Sequence, residues 1–185
     1  MSLKHAILGF LSFRPLSGYD LKKTFDQSVQ HFWPANQSQI YRTLAEMEEQ
    51  KFVVREVVER EDRLDLKIYH ITDAGRAELQ RWLATPLEPQ DNREPFLIQI
   101  YFGGKLSDAE LLNLIHTEIQ EAEQRLALFS ALLEASQPRL EAHPDRRAAF
   151  LSLLTLEYGM RAQQALLDWL KSVSQRVQSG DYSSF

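Results

Sequence analysis

Two short runs, Phe52-Val53-Val54-Arg55-Glu56-Val57-Val58 and Leu66-Lys67-Ile68-Tyr69-His70-Ile71, decide how the first half of this chain is read. The first is rich in β-branched residues, and the second alternates apolar with polar, so both predict strands. The charged stretch Glu59-Arg60-Glu61-Asp62-Arg63 lies between them and makes the pair a hairpin with a polar loop. On either side of the hairpin the apolar spacing is helical. Leu3, Ala6, Ile7, Phe10 and Leu11 predict a first helix, with Ser2 as its cap and Pro15 closing it. Ser17-Gly18-Tyr19-Asp20 has the S-x-x-D form of a capped helix start, followed by Leu21, Phe25 and Ser28 on one face. His31-Phe32-Trp33-Pro34-Ala35 interrupts that pattern. Asn36 or Ser38 then caps a third helix carrying Ile40, Leu44 and Met47. Beyond the hairpin, Thr72 caps a helix bearing Leu79, Trp82 and Leu83.

The order is helix, helix, helix, hairpin, helix. Short helices need tertiary packing to persist, and an isolated hairpin needs something to lean on. A winged helix-turn-helix meets both demands, with the hairpin as a two-stranded wing. The whole chain has 185 residues, enough for one large or two small domains at about 150 residues each. Thr85-Pro86-Leu87-Glu88-Pro89-Gln90-Asp91-Asn92 has the composition of a linker, which divides the chain into residues 1–85 and 86–185. Charge divides at the same place. The first part holds 12 Lys+Arg and 12 Asp+Glu, the second 9 and 14, and the net charge of −5 belongs to the second.

The second part reads as helical. Ser107-Asp108-Ala109-Glu110 is a capping box. Leu112, Ile115, Ile119, Ala122, Leu126, Phe129 and Leu133 follow in alternating steps of three and four, a heptad seam that Pro138 is expected to end. Pro144 suits the first turn of a last helix. That helix carries Leu151, Leu154, Tyr158, Ala162, Ala165, Trp169 and Val173 on one face. It carries Leu153, Leu156, Met160, Leu167 and Leu170 on the next. Two apolar faces need two covers: the preceding helix and, for the other, a second copy of the chain. The seam alone also fits a helix pair inside one chain. Residues 179–185 are expected to fray.

The fold class is therefore mainly α: an N-terminal winged helix-turn-helix and a C-terminal long-helix dimerisation region. No cysteine is present, which excludes disulfides, thiolate metal sites, a cysteine nucleophile and thiol redox sensing. No run approaches the ~20 apolar residues of a membrane span, and no secretory signal opens the chain, so a cytoplasmic protein without membrane contact is expected. His5, His31, His70, His116 and His143 lack metal-ligand spacing, and Gly103-Gly104-Lys105 is not a phosphate loop. No cofactor and no enzymatic activity are expected, because no catalytic constellation is visible.

The segments Leu16-Ser17-Gly18-Tyr19-Asp20-Leu21-Lys22-Lys23, Phe32-Trp33 and Ser38-Gln39-Ile40-Tyr41-Arg42-Thr43-Leu44 resemble the PadR family of bacterial transcriptional regulators. Lys67-Ile68-Tyr69-His70-Ile71-Thr72-Asp73-Ala74-Gly75 is similar to that family's passage from wing to helix. From Arg93-Glu94-Pro95-Phe96 onward the chain is similar to its helical C-terminal domain. The resemblance implies a dimeric DNA-binding regulator, usually a repressor, with small aromatic or other effectors as partners in some members. Two places depart from the family pattern. Asp62-Arg63-Leu64-Asp65-Leu66-Lys67 stands where members often have Gly-Arg-Pro-x-Arg-Lys, and Arg42 stands where many have proline.

The candidate DNA-reading residues are Gln37, Ser38, Gln39, Tyr41, Arg42 and Thr43, because recognition helices place their N-terminal residues against bases and phosphates. Tyr19, Lys22 and Lys23 are candidates for phosphate, with core packing as the alternative for Tyr19. Arg63 and Lys67 would serve from the wing. Phe32 and Trp33 are candidates for an effector pocket, with plain packing as the alternative. Leu151, Leu154, Tyr158 and Trp169 are the dimerisation candidates. The expected partners are double-stranded DNA with a palindromic operator and a second copy of the chain. A protein-interaction module that has lost DNA binding is the rival reading, favoured by the acidic balance and the altered wing.

Overall fold

Helix α1 runs from Ser2 to Phe13, so Ser2 is already helical rather than the residue before the helix. The computed structural model describes residues 2–30, 32–59, 65–89, 93–141, 144–180 and 182–183. They fall into two compact units, residues 1–90 and 91–185.

In the first unit α1 is followed by β1 (Leu16–Ser17), α2 (Gly18–Ser28), α3 (Gln37–Glu49), β2 (Val53–Val58), β3 (Leu66–Ile71) and α4 (Asp73–Ala84). The wing strands pair antiparallel from Val53↔Ile71 to Val58↔Leu66. The sheet has a third member: β1 pairs with β3 through Leu16↔Tyr69 and Ser17↔Ile68, giving the order β1-β3-β2. Two residues carry no periodicity, so this strand has no sequence pattern of its own. The wing's loop, residues 60–64, lies outside the described residues, and Arg63 with it.

Three side chains start the helices as expected. The Ser17 hydroxyl accepts from the Asp20 N–H at 3.1 Å and donates to the Asp20 carboxylate at 2.6 Å. Asn36 and Gln39 form a reciprocal capping box on α3. The Thr72 hydroxyl accepts from the Gly75 N–H and donates to the Lys51 carbonyl at 2.7 Å, which ties α4 to the end of α3. Helix α3 ends with Phe52 N–H bonded to the Met47 carbonyl and Lys51 N–H to that of Glu48. This is the Schellman pattern, and it puts Lys51 in the left-handed region at φ 61°. Gly75 sits where a Cβ would fall 2.2 Å from the Phe52 carbonyl oxygen, so only glycine lets α4 start there.

Ile7, Leu8, Leu11, Leu21, Phe25, Ile40, Leu44 and Met47 close over the sheet residues Leu16, Val53 and Tyr69. Each fully buried aliphatic side chain contributes roughly 1.5–3 kcal/mol. Beside this core, Glu78 of α4 takes Lys4 at 2.7 Å and His5 at 3.1 Å, and also pairs with Arg81. His5 stacks on Trp82 with ring centroids 4.4 Å apart. Hydrogen bonds from Lys4, Arg81 and His5 lower the Glu78 pKa from 4.5 to about 2.

The second unit contains α5 (Pro95–Tyr101), a 3-10 turn at Gly103–Lys105, α6 (Asp108–Glu141) and α7 (Arg146–Ser179). The short α5 has no counterpart in the sequence reading. The Ser107/Glu110 capping box is present: Ser107 N–H donates to Glu110 at 2.8 Å and Glu110 N–H to Ser107 at 3.3 Å. The long helices run antiparallel, with Lys171 paired to Glu123 at 2.9 Å and the Phe129 ring lying over Gly159. Ile115 and Ala122 of the seam are buried against Leu167, Leu170 and Val177, so the seam serves the intrachain pair.

Three expectations for this half are corrected. Pro138 does not end α6, which continues to Glu141. Proline removes one N–H and crowds the carbonyl four residues back, yet its fixed φ is helical, and the helix carries only three residues beyond it. Pro144 precedes α7 instead of opening it, because the Asp145 carboxylate takes the cap by accepting from Ala148 N–H at 2.9 Å. In the tail, residues 181, 184 and 185 lie outside the described residues, while the Tyr182 hydroxyl is tied down by donating to Asp108 at 2.7 Å, which raises the Tyr182 pKa.

Candidate nucleic-acid interface

Helix α3 divides cleanly by face. Ile40, Leu44 and Met47 are fully buried, whereas Gln37, Ser38, Gln39, Tyr41 and Arg42 are exposed and Thr43 is half-buried. The outward side of its first two turns is therefore a row of hydrogen-bonding groups. Among the described residues, no carboxylate lies within 4 Å of Arg42, and the guanidinium is available to an outside acceptor. The acidic end of the helix turns to the wing, where Glu48 pairs with Arg55 at 3.5 Å.

Gln39 differs from its neighbours. Its Oε1 accepts from the Asn36 N–H at 3.0 Å, and its own N–H donates to Asn36 at 2.8 Å. Its carbonyl oxygen is engaged in starting the helix, which leaves the NH2 end as a single donor and occupies the oxygen that paired readout of adenine would use. Tyr41 is also anchored. A Cβ on Gly18 would fall 2.4 Å from the Tyr41 ring, so the ring lies directly on the start of α2. Glycine at 18 brings α2 and α3 to this distance.

On α2, Tyr19 is exposed and is no core residue. Lys22 is half-buried and ion-paired with Asp26, while Lys23 is exposed with no carboxylate within 4 Å among the described residues. Lys67 is exposed on β3 opposite Val57. The wing carries a cross-strand pair, Glu56 with His70 at 2.8 Å. Phe32 is exposed, and Trp33 packs, partly buried, against the core of residues 1–90. On α7, Leu151, Leu154, Tyr158 and Trp169 all face outward, Tyr158 at 75% exposure. Trp169 also meets the Phe96 ring edge-on at 6.2 Å.

Sequence reasoning missed three features here. The Asn36-x-x-Gln39 spacing signals the capping box, and Lys22 and Asp26 stand at i,i+4, the spacing of a helical ion pair. The Gly18–Tyr41 contact has no local signal, since it joins residues far apart in the chain. No group of three or more His, Cys, Asp or Glu able to hold a metal occurs among the described residues. No described helix is long and apolar enough to cross a membrane.

A helix-turn-helix with a wing, followed by two long helices, defines a class of transcriptional regulators, and the comparisons narrow it. The profile of the transcriptional regulator PadR-like family matches residues 7–81, and that of the virulence activator alpha C-terminal region matches residues 92–178. The probable transcriptional regulator Rv1176c of Mycobacterium tuberculosis is 34% identical, over 96% of this chain and 98% of its own. The negative transcriptional regulator PadR of Bacillus subtilis is 30% identical, over 92% and 94%. Two crystal structures of that PadR also align. The complex with operator DNA has a TM-score of 0.81 at 28% identity, covering 96% of this chain and 99% of the other. The complex with p-coumaric acid has a TM-score of 0.75 at 28% identity, covering 95% of each. This chain belongs to the PadR-like family of transcriptional regulators.

Proposed function

We propose that this chain is a homodimeric repressor that binds a palindromic operator through residues 1–85, pairs through residues 86–185, and is released by a small aromatic effector. The observation that carries this reading is the outward row on α3. Gln37 and Arg42 offer the paired hydrogen bonds that adenine and guanine edges accept. Ser38, Thr43 and Tyr19 bring hydroxyls, and Lys23 and Lys67 bring charge, to where phosphates would run. The outward apolar row of α7 supports the two-fold pairing, which would set two α3 helices about 34 Å apart on successive major grooves.

The Bacillus subtilis relative is a negative regulator, solved with operator DNA and with p-coumaric acid. Those facts support repression and an aromatic ligand here, and they favour a DNA-binding regulator over a bare interaction module. We read the protein as a cytoplasmic regulator rather than an enzyme. Both pocket candidates stay open: Phe32 is the more exposed, and Trp33 packs partly against the core. An effector acts only as far as it binds the DNA-competent and incompetent states with different affinity.

Selection of bound duplexes from random DNA tests the reading. The expected product is a palindrome with half-sites about one helical turn apart. Arg42→Ala is expected to weaken operator binding roughly 10- to 100-fold and to relax the preference at one base position. Unselective recovery of DNA, or full binding by both Arg42→Ala and Gln37→Ala, would overturn it.

A further inference from the structure

A cleft of about 540 Å³ opens beside the start of α3, with the capping pair Asn36 and Gln39 on one side and Lys22 and Asp26 on the other. Lys22 and Asp26 are one helical turn apart and ion-paired. Lys23, next in sequence, has no such partner among the described residues. Adjacent lysines at one candidate DNA site therefore stand in opposite electrostatic states.

A free ammonium attracts any DNA, specific or not, and each phosphate it neutralises adds about 0.9 to the slope of log affinity against log salt. An ammonium held against a carboxylate is close to a dipole, and its attraction falls away within a few ångströms. The hold is weak, since an exposed ion pair one helical turn apart is largely screened by water. A phosphate brought to hydrogen-bond distance can displace the carboxylate, whereas a phosphate passing at a distance cannot.

We propose that Asp26 is a specificity-determining residue of the DNA site: it withholds Lys22 from DNA in general and yields it only to a phosphate that docking of α3 carries into this cleft. The proposal rests on the DNA-binding reading above. It accounts for a neutral first half that would still hold its operator firmly. Unrelated DNA feels Lys23 and Arg42, and the operator gains Lys22 as well.

The test uses the full-length wild type, Asp26→Asn, Lys22→Ala and the double variant. Each is titrated with an operator duplex and an unrelated duplex of equal length between about 50 and 200 mM salt. Asp26→Asn is expected to raise affinity for the unrelated duplex about three- to tenfold at the low-salt end and to steepen its salt slope by about one. The gain on the operator is expected to be smaller, so the specificity ratio falls. In the Lys22→Ala background the same Asp26→Asn change is expected to do neither. An equal gain with and without Lys22 would mean that Asp26 merely repels DNA, and overturns the proposal. So does no gain at all, provided that circular dichroism melts show the variants folded. A wild type that binds neither duplex overturns the DNA-binding reading itself, an outcome distinct from both.

Discussion

The two halves of the chain solve the burial problem differently. Residues 1–90 build a closed central core, with Ile7, Leu8, Leu21, Phe25, Ile40, Leu44 and Met47 all fully buried, although Phe13, Val54 and Leu83 stay exposed outside it. Residues 91–185 cover one apolar side of α7 with α6 and leave Phe150, Leu151, Leu154 and Tyr158 facing outward. The second half thus carries a surface that water disfavours and that a matching copy would cover. On the proposed reading the closed core would serve DNA binding and the outward face of α7 would serve pairing.

The sharpest way to break the comparison is to open the closed core. Phe25→Ala is expected to cost about 3–5 kcal/mol in chemical denaturation. A loss below ~1 kcal/mol would show that the first unit is less tightly packed than its burial indicates. The matching perturbation on the open face should behave otherwise. Leu154→Ala with Tyr158→Ala removes side chains that α6 does not cover, so helicity by circular dichroism should persist. The dimer dissociation constant from sedimentation should rise by about 100-fold. Unchanged association would place the pairing surface elsewhere.

A smaller effect distinguishes the electrostatic tie in the first unit. Glu78 has a folded pKa of about 2 against an ordinary 4.5. Its lowered value means that its stabilisation is present above pH 4.5 and is lost as pH falls toward 2. Glu78→Gln should therefore melt a few degrees below wild type at neutral pH, with the gap closing across that acid window. A gap independent of pH would assign the loss to packing. The smallest effect is expected at Lys51. With φ at 61°, Lys51→Gly should stabilise the protein by about 0.5–1 kcal/mol, read from the denaturation midpoint. A loss would show that the lysine stem contributes more than the backbone strain removes.

Much of the first unit was legible because its signals are local. Ser17, Asn36 and Thr72 each satisfy an N–H three residues on, and that relation is written in the spacing. The outward row of α3 follows from the inward row of Ile40, Leu44 and Met47 by helical period alone. The second unit was less legible where a residue's effect depends on its place in the element. Pro138 reads as a stop by its missing N–H, yet its φ is helical and the helix runs three residues past it. Strand β1 exists only because β3 is there to pair with it. The same limit applied to single residues of the candidate site: Gln39 looked like a base reader until its oxygen was found on Asn36.

By itself the sequence determined the order of the main helices and the wing, the caps at Ser17, Thr72 and Ser107, the buried rows and the surplus apolar face of α7. These are set by covalent spacing against the fixed periods of helix and strand. Only the tertiary structure decided that Tyr41 rests on Gly18, that Lys22 is held by Asp26 beside Asn36 and Gln39, and which apolar row of α7 meets α6. Such choices depend on distances between segments far apart in the chain, and no local period encodes them.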